Sequence, residues 1–130
     1  LKLYASSAAP DTDFTARLID VHPDGRSMNL CEGVIRARYR DSVEHPTLME
    51  PGTVYEFTIS LEVTSNLFKR GHRIRLDVSS SNFPRIDRNP NTGHTFGMDA
   101  EMQVAEQTVY HSVEYPSHLV LPIIPYPQAG

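Results

Sequence analysis

Three consecutive serines, Ser79, Ser80 and Ser81, are the residues with which this chain could do nucleophilic chemistry; Asp77 stands beside them and His72 and His94 are near in sequence. A serine nucleophile needs a strained elbow, commonly Gly-x-Ser-x-Gly, an oxyanion hole and a converging His and acid. No glycine of this chain brackets a serine in that way. Serines at the end of a strand commonly satisfy nearby backbone groups instead. A catalytic triad inside this chain is therefore not expected.

Metal chemistry fares little better. Asp87-x-Asn89-x-Asn91 places three oxygen side chains at alternate positions, as the first half of an EF-hand loop does. Thr92 then stands where that loop requires Gly, and Met98 where it requires the bidentate Glu. Asp11-Thr-Asp13 with Asp20 is a weaker set still. The histidines (22, 45, 72, 94, 111 and 118) offer no i, i+2 pair within one strand. A zinc site is not expected on that spacing, and no Gly-rich phosphate cradle precedes a helix. The expectation is no catalytic, cofactor or metal residue.

These residues lie along strands. Ile74, Leu76 and Val78 alternate with Arg73, Arg75, Asp77 and Ser79, the period of two of a strand with one face in a core. The alternation stops at Asn82-Phe83-Pro84, and residues 82–97 should be irregular, punctuated by Pro84 and Pro90. Leu1, Leu3 and Ala5 mark a first strand. Residues 13–22 carry apolar side chains on both faces, so that strand is covered on both sides or changes face at a bulge. His22-Pro-Asp-Gly-Arg26 is a hairpin turn. Residues 27–31 form its short return strand, and a separate strand over 33–40 would face Ile35, Ala37 and Tyr39 inward. Residues 41–52, with two prolines, are a connecting loop.

Tyr55, Phe57, Ile59, Leu61 and Val63 share one face of the clearest core strand. Residues 101–113, with a bend, and 118–124 supply the last strands. No segment sustains a helical apolar period. Seven or eight short strands separated by turns predict an antiparallel β-sandwich of jelly-roll type. Outward-facing Arg36, Arg38 and Arg40, then Arg73 and Arg75, would form basic rails flanking Glu56 and Glu62. Cross-strand pairs of that kind contribute roughly 0.2–1 kcal/mol each.

Composition narrows the partners. The chain's 130 residues, 39% hydrophobic and 22% charged, suit one domain. A net charge of −4 argues against a nucleic-acid footprint, and no apolar run approaches a membrane span of roughly 18 residues. Arg outnumbers Lys ten to two, a bias toward planar, bidentate pairing with carboxylates. The single Cys31 fits a small buried thiol. The chain has no Trp, and its Tyr residues fall mostly on the predicted core faces. A stand-alone sandwich module binding carbohydrate or calcium is the alternative function.

Three stretches carry a family likeness. Thr64-Ser-Asn-Leu-Phe-Lys-Arg-Gly-His-Arg-Ile-Arg-Leu-Asp-Val-Ser-Ser-Ser-Asn-Phe-Pro-Arg-Ile-Asp-Arg-Asn-Pro-Asn-Thr-Gly93 resembles the C-terminal β-domain of the cocaine-esterase/NonD family of serine hydrolases, a domain also carried by X-Pro dipeptidyl-peptidases and α-amino-acid ester hydrolases. Residues 6–25, from Ser6-Ser-Ala-Ala-Pro-Asp to His22-Pro-Asp-Gly25, are similar to its early hairpin, and residues 106–124 to its final two strands.

The resemblance implies a galactose-binding-like jelly roll, with residues 1–130 a single C-terminal domain that is N-terminally truncated and so partial. It places the catalytic Ser, Asp and His in an α/β-hydrolase domain, with a helical cap, lying upstream; none maps here. It implies a supporting role in which this domain packs on the hydrolase and cap domains. Asn82, Phe83, Pro84, Arg85, Asp87, Arg88, Asn89 and Asn91 are the candidate contact, with Phe83 the apolar anchor. A truncated sandwich would also expose an unpaired edge strand open to self-association.

Overall fold

Alternation of Leu3 and Ala5 with Lys2 and Tyr4 builds β1 (Lys2–Ser7), whose inward residues are fully buried. In the computed structural model, which describes residues 1–95, 97–98 and 100–125, β1 is the centre of one three-stranded antiparallel sheet. It lies between β4 (Tyr55–Thr58) and β6 (Gln107–Val109). The second sheet has β2 (Asp13–Val21) between β3 (Ser27–Arg36) and β5 (Arg73–Ser79). The chain is thus an all-β, two-sheet antiparallel sandwich. Phe96, Asp99 and the Pro-rich tail from Tyr126 onward lie outside the described residues.

The two sheets meet through Phe14 of β2 and Phe57 of β4, whose ring centroids are 4.8 Å apart. Leu3, Ala5, Ala16, Leu18, Ile59, Leu61, Ala37 and Met49 complete the core. Each fully buried Leu, Ile or Phe contributes about 1.5–3 kcal/mol of transfer free energy. The central strand β2 is buried along both faces except at Arg17, as its two-sided apolar pattern requires. The bulge lies in its partner: Leu18 faces Cys31 and Ile19 faces Asn29, leaving Leu30 as the extra residue on β3.

Several expected elements change. Residues 27–31 and 33–40 are not two strands; one continuous strand, β3, runs from Ser27 to Arg36. It ends in a 3-10 turn, Ala37–Tyr39, which breaks the alternation that would have aimed Arg36, Arg38 and Arg40 at solvent. Residues 55–63 pair as a strand only to Thr58. Phe57, Ile59 and Leu61 are buried as the pattern demands, but Glu62 turns to a φ of +64° and Val63 is left exposed. Residues 101–113 supply only the three-residue β6. Residues 118–124 contribute only an isolated bridge, Lys2 to His118. Among the described residues six strands are found where seven or eight were expected.

The turn after β2 forms as expected. The His22 amide donates to the Arg26 carbonyl at 2.8 Å, and Gly25 takes a φ of +89°. Cys31 is half-buried and packs against the core. Burial, then the charge of Glu62, raises its pKa. Because the thiolate is the reactive form, Cys31 should react with an aromatic disulfide reagent near neutral pH at least about tenfold more slowly in the native chain than in urea. Equal rates in the two conditions would contradict this placement.

Candidate functional site

The strand β5 holds out residues 82–93, and this segment is bound down by polar side chains. Asn82 accepts from Arg17 Nη2 through Oδ1 and donates to Glu32 Oε2 at 3.2 Å. Arg85 pairs with the same carboxylate, Glu32, which Arg17 Nε also reaches at 2.9 Å. The Asp87 carbonyl accepts from Arg36 Nη2 at 3.3 Å. Asn89 Nδ2 donates to Asp11 Oδ2 at 2.9 Å and Asp13 Oδ1 at 2.8 Å. Asn91 and Gln103 exchange side-chain-to-backbone bonds at 3.0 and 2.7 Å. The segment is irregular backbone, as its composition requires.

Underneath lie two acids that sequence spacing alone did not mark as structural. Asp11 is fully buried and accepts from the Arg38 backbone N–H at 3.0 Å and from Arg38 Nε at 2.8 Å. Asp13, also buried, takes a two-pronged bond from Arg36 at 2.9 and 3.0 Å. Burial opposes the Arg36 charge, but the hydrogen bond and attraction from Asp13, with smaller help from Asp11 and Tyr39, outweigh it and raise its pKa. Arg40 donates to the Ala37 and Thr47 carbonyls and lies 4.3 Å from the Tyr55 ring centroid. The expected basic rail is therefore a set of inward clamps: buried carboxylates require paired cations. The second rail is also different, since Arg75 pairs with Asp77 of its own strand, and Glu56 lies in the other sheet against Lys2.

The eight candidate contact residues divide. Asn82, Arg85, Asn89 and Asn91 spend their side chains within the domain. Phe83 is 56% exposed, Pro84 is exposed, and Arg88 stacks over the Phe83 ring with its guanidinium carbon 4.5 Å from the centroid. Beside them β5 carries an uncovered apolar row. Ile74, Leu76 and Val78 pair with Asp20, Leu18 and Ala16, so they share the inner face with the core. Nonetheless Ile74 is 53% and Val78 37% exposed, and only Leu76 packs on the core cluster. The expectation of a buried strand is corrected here: β5 is the sheet's edge, and the opposing sheet does not extend over it.

The chemistry tested in sequence does not assemble. His72 precedes β5 and Ser79 ends it, so at about 3.3 Å per residue they stand roughly 23 Å apart. The Ser79 hydroxyl donates to the Ser81 carbonyl at 3.4 Å and accepts from the Ser81 amide at 3.5 Å. In the Asp-x-Asn-x-Asn run, Asn89 and Asn91 present amide donors to other protein groups, opposite to what a cation needs. Two groupings escaped the sequence reading. Tyr4, Tyr110 and Tyr115 cluster on the non-core side of β1, with centroids of Tyr4 and Tyr115 6.0 Å apart and of Tyr110 and Tyr115 5.5 Å apart. Asp20 of β2, His22 just after it and His72 just before β5 converge.

No catalytic triad is found among the described residues, and residues 1–120 match the family described as the X-Pro dipeptidyl-peptidase C-terminal non-catalytic domain. The chain belongs to this family. It is 52% identical over 125 residues to a cocaine esterase of Rhodococcus sp. (strain MB1 Bresler), covering 95% of this chain and 22% of that protein. Among solved structures, an aminopeptidase from a marine sediment archaeon, Thaumarchaeota archaeon, superposes with a TM-score of 0.84 at 35% identity, covering 88% of this chain and 21% of the other. An α-amino acid ester hydrolase superposes with a TM-score of 0.80 at 33% identity, covering 88% and 20%. The chain thus spans about a fifth of the length of the proteins it matches and corresponds to one part of larger enzymes. Among its described residues no helix is long and apolar enough to cross a membrane.

Proposed function

We propose that this X-Pro dipeptidyl-peptidase C-terminal domain is the non-catalytic jelly roll of a larger serine hydrolase acting on esters or X-Pro peptides. It docks on the α/β-hydrolase and cap domains and supports their active site. One observation carries the reading: residues 82–93 are clamped by their own polar side chains while Phe83 and Pro84 are held outward. An apolar side chain fixed in solvent by a rigid polar frame is how an interface anchor is built. The uncovered inner side of β5 supports the finer architecture. Further jelly-roll strands in the larger protein would cover Ile74 and Val78, and a chain lacking them would self-associate along that edge.

The test uses this chain and a full-length enzyme that contains it. The chain alone should not turn over a p-nitrophenyl ester above the buffer rate. In the full-length enzyme, Phe83→Asp should weaken domain docking by about 2 kcal/mol, the scale of an interface anchor, and shorten the thermal half-life of esterase activity several-fold. It should leave the urea midpoint of the isolated chain unchanged. Turnover by the chain that is lost with Ser79→Ala, or a Phe83→Asp enzyme as durable as the parent, would refute the proposal.

A further inference from the structure

Asp20, His22 and His72 lie away from the docking loop, at the other end of β5, and none of the preceding interactions explains why they gather. Asp20 and His22 are two residues apart, so the extended chain points both to the same side. Val21 pairs with Arg73, which brings the preceding residue, His72, across from His22. The two imidazole centroids are 4.3 Å apart. His72 Nδ1 sits 2.9 and 3.1 Å from the two Asp20 oxygens. One ligand atom from each residue falls within 4.8 Å of the others.

Burial sharpens this. Asp20 is only 5% exposed and the His72 side chain 10% exposed, while His22 is half-buried and opens to solvent. The turns that carry the histidines are braced against each other. Gly71, at a φ of +85°, is close enough to Pro23 that a Cβ there would come within 3.4 Å of the proline ring. The His72 amide also donates to the Lys69 carbonyl at 3.0 Å. The cluster is thus two imidazoles and one carboxylate on a fixed sheet end with one side open.

We propose that Asp20, His22 and His72 bind a divalent transition-metal ion of the zinc class, with solvent in the remaining position. Two nitrogen donors and one oxygen donor suit zinc rather than calcium or magnesium, which take oxygen ligands. Ligand distances near 2.0–2.2 Å would require the half-buried His22 ring to rotate toward the other two and the ion to replace the His72–Asp20 hydrogen bond. In the sequence the set is invisible to a search for His-x-His within a strand, because its third member arrives from a neighbouring strand fifty residues later, at a separation of 52 between Asp20 and His72.

The experiment is calorimetric titration of the metal-stripped full chain with zinc chloride, and with calcium chloride alongside. One zinc per chain should bind with a dissociation constant in the micromolar range or below, and calcium should not bind. His22→Gln and His72→Gln should each weaken zinc at least tenfold. His22→Gln should keep the parent's urea midpoint in EDTA, which separates loss of a ligand from loss of the fold. His118→Gln, a histidine remote from the cluster, should bind zinc as the parent does. Absence of saturable zinc binding overturns the proposal, as does binding that persists at full strength in His22→Gln or is lost in His118→Gln.

Discussion

Arg38→Ala should cost this chain about 3–5 kcal/mol, the penalty for removing one member of a buried ion pair. Asp11 has no solvent access, and three donors converge on it: the Arg38 amide, Arg38 Nε and Asn89 Nδ2. Removing the guanidinium leaves the carboxylate with the two weaker neutral donors and, as the nearby cation, Arg36, which is already engaged by Asp13. It also releases the His94 carbonyl, to which Arg38 Nη2 donates at 2.9 Å. The intact pair itself contributes little, because desolvation offsets most of its attraction. The large effect comes from orphaning the acid. Adding Asp11→Asn to Arg38→Ala should therefore recover at least half of the loss, since the amide keeps an oxygen for the Arg38 backbone N–H and carries no charge. Urea unfolding at neutral pH measures both variants. A loss below about 1 kcal/mol for the single variant, or no recovery in the double, would show that Asp11 is stabilised in another way.

The same pair marks where sequence reasoning stopped. Strands whose side chains alternate against a continuous partner were legible: β1, the two-sided β2, the Pro-Asp-Gly turn and the first half of residues 55–63. In each, periodicity and turn chemistry are local properties. Arg36, Arg38 and Arg40 have the same period of two, yet the backbone turns into a 3-10 segment at Ala37, and the first two arginines meet Asp13 and Asp11 more than twenty residues upstream. Nothing in the spacing distinguishes an arginine aimed at water from one aimed at a buried acid. β5 failed in the opposite sense. Its alternation identified the inner face correctly, but whether that face is covered depends on how far the other sheet extends. The ten-to-two excess of Arg over Lys was the one compositional sign of the clamps, because planar, multi-pronged pairing with Asp11, Asp13 and Glu32 is what lysine cannot supply. The family likeness was legible because it rests on long ordered motifs, whereas the Asp20, His22 and His72 grouping needs the register of β2 on β5.

Gly33→Ala should be the other severely destabilising change, and for a reason unrelated to charge. Gly33 lies inside β3, opposite Ala16. Glycine in a strand interior costs backbone entropy and packs nothing, so its presence indicates close approach of another backbone. A Cβ added here would fall 1.9 Å from the Ser60 carbonyl oxygen and 2.8 Å from its carbon. Both are main-chain atoms of the segment after β4, so no side-chain rotation can relieve the overlap. That segment is held between Ile59, 1% exposed, and Leu61, 9% exposed, both in the core. To admit one methyl group, either residues 59–61 move and withdraw these side chains, or β3 shifts from β2. Overpacking in cores typically costs about 1–3 kcal/mol, and a backbone collision at the junction of two sheets belongs at or above the upper end. Gly25→Ala makes the control: a Cβ at Gly25 meets nothing within 4 Å, and its penalty comes only from a φ of +89° in an exposed turn, about 1 kcal/mol. Thermal and urea unfolding of the two variants should therefore separate by at least about 2 kcal/mol, with Gly33→Ala the less stable. Near-equal stabilities would mean that the strap over β3 yields easily and that Ile59 and Leu61 do not fix it to the core.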